Sequence, residues 1–203
     1  MPPRIDATAI NEKPGVYTAV YKDYAFVLNQ TNITDNNNKF YIGQILRRND
    51  KSYDVFTKWG RVGEEGRSQL VCDGVDADTA VAEFKEKFRD KSGTTWEKRD
   101  YEPKSGKLYT LLEMASAGDH LDKALQNLNL DATNLPLGAI CANQIVRGRE
   151  ILDKVEEALD TLIDLSDQYY SLIPHAFNRS TTPPVINTIQ SVRTERDMLH
   201  KLN

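Results

Sequence analysis

The chain has 203 residues, 39% of them apolar and 28% charged, with 26 basic side chains against 30 acidic ones. That composition is too apolar for outright disorder, and a net charge of −4 excludes a wholesale basic nucleic-acid binder while leaving room for a local basic face. The longest apolar runs, such as Tyr24-Ala25-Phe26-Val27-Leu28, fall far short of the roughly 20 residues of a membrane helix, and Met1-Pro2-Pro3-Arg4-Ile5-Asp6 lacks the apolar core of a signal peptide.

The average hides a division. Residues 1–110 carry 18 basic and 17 acidic side chains, net +1, whereas residues 111–203 carry 8 and 13, net −5. Eight of the 11 glycines and both tryptophans lie on the first side of that break, so two units with different secondary structure are expected.

In chain order, residues 1–15 hold Pro2, Pro3, Pro14 and Gly15 with little periodicity and read as a mobile arm. Residues 16–30 alternate Val16, Tyr17, Val20, Tyr21, Tyr24, Phe26 and Leu28 with polar residues, which predicts two short strands and a turn near Lys22-Asp23. Residues 34–38 are a polar loop, Lys39–Arg48 a strand, Asn49-Asp50-Lys51 a turn, and Ser52–Trp59 another strand. Gly60, Gly63 and Gly66 punctuate a loop before a strand at Ser68–Cys72, so a meander of antiparallel strands is the simplest assembly. From Asp76 to Lys91 the period changes: Ala77, Ala80, Val81, Phe84 and Phe88 share a helical face that Asp76 or Asp78 can cap. The first unit, residues 16–112, is therefore α+β, an antiparallel sheet with one packed helix.

The second unit, residues 113–203, reads as all-α. Helices are expected at His120–Leu130, at Asn143–Leu165, at Ser166–Leu172 and from about Thr188 onward. Leu135-Pro136-Leu137-Gly138, Ile173-Pro174-His175-Ala176-Phe177 and Pro183-Pro184 break the run. Ile189, Val192, Leu199 and Leu202 on the last helix lack some of the partners that a complete bundle would supply.

Catalytic signals are weak. His120, His175 and His200 sit on separate segments and form no metal spacing, and no nucleophile elbow, phosphate loop or dinucleotide fingerprint is present. Gly60–Gly66, GRVGEEG, is Gly-rich, but Glu64 and Glu65 would repel phosphate, so a plain turn is the simpler reading. Cys72 and Cys141 lie far apart and read as buried reduced thiols of an intracellular protein. A nucleic-acid surface has more support. Lys39, Arg47, Arg48, Lys58, Arg61 and Arg67 fall on the expected strands and loops, and Trp59 among them is either a sheet-core residue or a platform for a base or sugar. Lys85, Lys87, Arg89 and Lys91 alternate with acids and read as a solvated helix face.

Several ordered motifs then agree. Asn29-Gln30-Thr31-Asn32-Ile33, Asn36-Asn37-Asn38-Lys39-Phe40-Tyr41, Lys58-Trp59-Gly60-Arg61-Val62-Gly63, the Phe84, Lys87, Phe88, Lys91, Trp96, Arg99 series and Lys107-Leu108-Tyr109-Thr110-Leu111 together resemble a WGR domain of the DNA-dependent poly(ADP-ribose) polymerases. Leu135-Pro136-Leu137-Gly138, Gln144-Ile145-Val146-Arg147-Gly148, Tyr170-Ser171-Leu172-Ile173-Pro174-His175 and Pro183-Pro184 are similar to the helical regulatory domain that follows it in that family.

The resemblance implies binding to double-stranded DNA ends, with a preference for a 5′-phosphorylated break, and a nuclear setting. It places Trp59 against the terminal nucleotide. Asn37, Lys39, Arg61 and Tyr109 become candidates for phosphate contacts or for transmission to the helical domain, and Lys58 joins them from the basic cluster. The helical domain would restrain a catalytic domain and block NAD access until DNA loosens it. Leu121, Leu125, Ile145, Leu152, Leu159, Leu172 and Leu199 are the apolar positions whose packing would set that balance. Nothing in the chain resembles the transferase fold, so no ADP-ribose transfer, no cofactor and no metal are expected of it, and NAD belongs to a catalytic domain outside it. The helical bundle looks incomplete at both ends. The alternative expectation is a protein-interaction module that docks a partner through the acidic helical unit.

Overall fold

Alternation over residues 17–61 suffices for three paired strands, and a computed structural model builds them into one antiparallel sheet of five. The described residues are 3–104, 106–114, 137–157 and 162–202. Strands β1 (Tyr17–Asn32), β2 (Asn37–Arg48), β3 (Tyr53–Arg61) and β4 (Arg67–Val75) form a meander, and β5 (Thr110–Leu111) pairs with the free side of β1, giving the order β4-β3-β2-β1-β5. The hairpin tips place Asn36 and Lys51 at positive φ.

The expected pair of strands with a turn at Lys22-Asp23 is a single strand carrying a bulge. Lys22 takes φ 53, and the register jumps from Val20 opposite Leu46 to Ala25 opposite Gln44. Five steps on β1 thus span two on β2. The excess of three is odd, so the strand changes faces as it passes the bulge. Val20 packs with Leu46 and Phe56 on one face, whereas Phe26 and Leu28, of the same parity, pack on the other.

Each face has its own cover. Helix α2 (Ala77–Ser92) starts at Asp76, whose carboxylate accepts from Thr79 N at 2.9 Å, and stops at Gly93, whose left-handed φ of 73 lets its N–H reach Arg89 O. It buries Ala80, Phe84 and Phe88 against Phe26, Tyr41, Ile45 and Val55, and Trp96 of a short 3-10 turn meets Phe84 and Phe88 edge-on. Residue 43 must be glycine here: a Cβ would lie 2.3 Å from Cζ of Phe26, whose ring lies over it.

The opposite face is covered by the segment expected to be a mobile arm. Helix α1 (Ala7–Glu12) buries Ala9 against Val20, Leu46 and Phe56, and Asp6 N donates to Gln44 Oε1 at 2.9 Å while Gln44 Nε2 returns a bond to Arg4 O. Local propensity is poor, but the sheet's second apolar face needs a lid, and that burial decides the conformation.

The second unit contains α3 (Ala142–Glu157), α4 (Leu162–Leu172) and α5 (Ile189–Lys201). The expected helix at Asn143–Leu165 is divided: Leu162 and Ile163 belong to α4, which packs against α3. Gly148 permits a close crossing, since a Cβ there would sit 2.9 Å from Ile173 Cγ1. The core contains Ile145, Leu152, Leu172 and Leu199, all at most 1% exposed, and Val192 is also buried. Of the last helix's apolar residues only Ile189 is exposed, at 68%, so that face is better covered than expected. The expected helix at His120–Leu130 and the candidates Leu121, Leu125 and Leu159 lie outside the described residues. Cys72 and Cys141 are free thiols and half-buried rather than buried. Among the described residues no helix is long and apolar enough to cross a membrane.

Replacing Gly43 with alanine forces the Phe26 ring out of a packed aromatic cluster. It is expected to cost about 1–3 kcal/mol of stability, measurable as a lower urea midpoint at unchanged slope.

Candidate nucleic-acid interface

Side chains on a strand alternate faces, so β3 divides its own polar residues. Trp59 points to the α2 side. There it stacks on Tyr41 with ring centroids 6.1 Å apart and planes 21° apart, half-buried against the aromatic core. Trp59 thus packs on the core and also lines an open cleft of about 770 Å³. The cleft brings together Trp59, Arg61, Lys39 and Tyr109 from the expected set. Five cations line it (Lys39, Arg61, Lys87, Lys91 and Arg179) against two carboxylates, Asp35 and Asp90. A local basic face thus exists on an acidic chain.

Two expected residues are not part of this cleft. Lys58 points to the other face, where its Nζ donates to Thr8 Oγ1 at 2.8 Å and lies 3.9 Å from Asp6 Oδ1, fastening α1 to the sheet. Asn37 begins β2 opposite Asn32 and does not line the cleft. Arg48 is committed to the fully buried Asp54 and to Asp73.

Lys87 and Lys91 were expected on a solvated helix face. They stand one helical turn apart, each one residue before a buried position of α2 (Phe88 and Ser92), on the flank that lines the cleft. Lys91 Nζ lies 5.1 Å from the centroid of Tyr41. The i, i+4 spacing beside Phe84 and Phe88 is the signal that would have found them. Tyr109 closes the cleft, its N–H held by Lys91 O at 3.0 Å. Burial, with Tyr41 beside it, pushes its hydroxyl pKa up, so it stays a neutral hydrogen-bond donor at neutral pH.

Arg61 carries the cleft over to the helical unit. Its Nε donates to Phe177 O (3.2 Å), Nη1 to Asn36 O (3.0 Å), and Nη2 to Asn36 Oδ1 (3.1 Å) and Asn178 O (3.3 Å). Four of its five N–H groups are thus spent on neutral carbonyls, two of them in the loop after α4. Asn38, fully buried, adds a bond from Nδ2 to His175 O at 2.7 Å.

The deepest contact between the units is the end of α4. The last four carbonyls of a helix have no partner within it. Here Tyr169 O accepts from Ile173 N, Tyr170 O and Ser171 O both accept from Nδ2 of Asn29 on β1 (2.9 and 3.0 Å), and Leu172 O accepts from Gln144 Nε2. Ser171 Oγ in turn accepts from Thr31 N at 3.0 Å. Ile33, beyond the end of β1, inserts into the helical core, and its N–H donates to Asp167 Oδ1 at 2.7 Å. Burial pushes the Asp167 carboxyl up to about 6, with Asp164 and Asp35 adding repulsion and the Ile33 bond opposing. Among the described residues no cluster of His, Cys, Asp and Glu could hold a metal ion.

A family model for the WGR domain matches residues 24–103, and one for the poly(ADP-ribose) polymerase regulatory domain matches residues 105–203. The chain carries a WGR domain followed by a poly(ADP-ribose) polymerase regulatory domain. It is 34% identical to human protein mono-ADP-ribosyltransferase PARP3 over 97% of this chain and 45% of that protein. It is 31% identical to Arabidopsis thaliana poly [ADP-ribose] polymerase 2 over 88% of this chain and 35% of that protein. Human poly [ADP-ribose] polymerase 2 is 29% identical over 97% of this chain and 41% of its own length. The chain thus spans less than half the length of these relatives. The regulatory domain has a carbonyl-capping contact with the WGR sheet, and Arg61 of the Trp59-Gly60-Arg61 tripeptide bonds across to it.

Replacing Asn29 with alanine leaves two buried carbonyls at the end of α4 without a donor. A loss of roughly 2–4 kcal/mol is expected in urea unfolding. Asp167 titrates in the opposite sense to a paired carboxylate. Because its folded pKa is raised, the folded chain binds the extra proton between about pH 4 and 6, and this group's contribution to stability falls as pH rises through that window. Asp167→Asn is expected to melt above the wild type at pH 7.5 and level with it at pH 4.

Proposed function

We propose that this chain is the DNA-break-sensing and autoregulatory portion of a poly(ADP-ribose) polymerase. In this reading a 5′-phosphorylated duplex end enters the basic cleft. Trp59 packs against the terminal nucleotide, and Lys39, Lys87 and Lys91 meet phosphate oxygens. Tyr109 donates its neutral hydroxyl to the same group. Arg61 serves chiefly as the relay, since its donors are already engaged with the loop that follows α4. The supporting observation is that one residue, Arg61, both lines the cleft and holds the helical unit.

The consequence for regulation is a population shift. A DNA end that binds better when the Arg61 contacts to Phe177 and Asn178 are strained favours a looser helical unit, and the helical unit in turn tunes DNA affinity by the same factor. The transferase chemistry, its NAD and its protein substrates belong to a catalytic domain that this chain would govern, and the setting is nuclear. ADP-ribose transfer by the purified chain with NAD would overturn that assignment.

Fluorescence anisotropy with a labelled blunt duplex tests the reading. Binding is expected to be tighter for a 5′-phosphorylated end than for closed circular DNA and to weaken steeply with salt. Trp59→Ala is expected to lose about 1–3 kcal/mol of end affinity, the worth of one base–aromatic stack, while keeping a cooperative melt. Equal affinity for closed circles and free ends would refute end recognition.

A further inference from the structure

The Gly60–Gly66 loop contains two acids that the cleft does not use, and one of them faces the helical unit. Glu64 forms a two-pronged ion pair with Arg179: both Nε and Nη2 of the guanidinium reach its carboxylate oxygens. Arg179 lies in the loop between α4 and α5. Its own carbonyl is anchored by Nδ2 of Asn36 at 3.2 Å, so the base of the side chain is fixed beside Arg61. Arg179 lines the cleft and Glu64 does not. The Arg179 side chain is 74% exposed even while paired, and Glu64 is 37% exposed. The pair lowers the Glu64 carboxyl pKa, so Glu64 is charged throughout the neutral range.

Resting on the reading that the cleft receives a DNA end, we propose that Arg179 is a ligand for the terminal phosphate, contributed by the helical unit and held in reserve by Glu64. An exposed ion pair is worth no more than about fivefold in an equilibrium constant. A terminal phosphate monoester carries close to two negative charges and three acceptor oxygens, and Arg offers it the same two-pronged geometry that it gives Glu64. Inside a cleft already lined by Lys39, Lys87 and Lys91, the phosphate is the stronger partner, and the side chain exchanges Glu64 for it. Glu64 thereby acts as an internal competitor that occupies Arg179 when no end is present. The exchange replaces a contact between the two units by a contact between the helical unit and the DNA. The helical unit then senses the phosphate directly, in parallel with Arg61.

The experiment is a double-mutant cycle on the full chain, with anisotropy read on duplexes ending in a 5′-phosphate or a 5′-hydroxyl. Arg179→Gln is expected to weaken the phosphorylated end about three- to tenfold, to change the hydroxyl end less than about twofold, and to lower the salt slope by about one. Arg179→Lys, which keeps the charge, is expected to recover part of the loss. Glu64→Gln is expected to tighten the phosphorylated end by about two- to fivefold, and only while Arg179 is present. If the wild type prefers the phosphorylated end but Arg179→Gln weakens both ends equally or neither, Arg179 is not a phosphate ligand and the end-binding reading stands. A gain from Glu64→Gln that persists in the Arg179→Gln background shows that Glu64 acts by repelling DNA at large, and the reserve is refuted. A wild type that does not distinguish the two ends refutes the phosphate ligand, whereas only equal binding of closed circles and free ends refutes end recognition itself.

Discussion

Asn29 is the residue on which the arrangement of the two units rests. It is fully buried on β1, yet its amide donors serve the carbonyls of Tyr170 and Ser171 at the end of another unit's helix. A helix end buried without partners is costly, and α4 cannot satisfy these two carbonyls from its own loop, which turns back at Ile173-Pro174. The helical unit therefore borrows its C-cap from the sheet. Once that cap is in place, Ile33 reaches the helical core, His175 O meets Asn38, and the loop beyond lies within reach of Arg61. The relative placement of the cleft and the helices is a consequence of hydrogen-bond accounting at one helix terminus.

The cleft follows from a second constraint, the two-fold alternation of β-strands. Of three positions near the end of β3, Trp59 faces α2, Lys58 faces α1, and Arg61 closes the end toward the helical unit. The basic residues of the WGR unit are thereby divided among three tasks. Lys58 fastens the N-terminal helix, Arg48 neutralises the buried Asp54, and Lys39 remains open on the cleft with Lys87 and Lys91. A net charge near zero for this unit is compatible with a basic face because several of its carboxylates are spent on cations elsewhere.

Much of this was legible in the residues themselves. The period-two stretches and the helix over Asp76 to Lys91 were, because alternation and N-terminal capping are local. The failures have identifiable physical causes. Lys22-Asp23 carries turn-like residues, and a bulge uses the same left-handed backbone as a turn, so pattern alone cannot separate them. The division between α3 and α4 lies inside a continuous apolar pattern, since both helices face one core. Residues 3–13 look unstructured by propensity because their order comes from covering Phe56 and Leu46, which are distant in sequence. Lys87 and Lys91 were hidden by their acidic neighbours: a charge-alternating helix reads as solvated unless the position of the flanking strands is known. Lys58 lies on the face opposite Trp59, as the alternation of β3 requires.

The bulge at Lys22 also sets an arithmetic rule for how this domain can change length. Because the three surplus residues reverse the facing of everything before them, the first turn of β1 and the α1 lid belong to one side of the sheet and the aromatic stack to the other. Gain or loss of two residues at this point preserves that facing. Gain or loss of one turns Val20 toward α2 and presents Ala19 and Tyr21 to the lid instead. Length variation among chains built on this plan is thus expected to be even-numbered at the bulge, and an odd change there should be accompanied by a rewritten N-terminal segment.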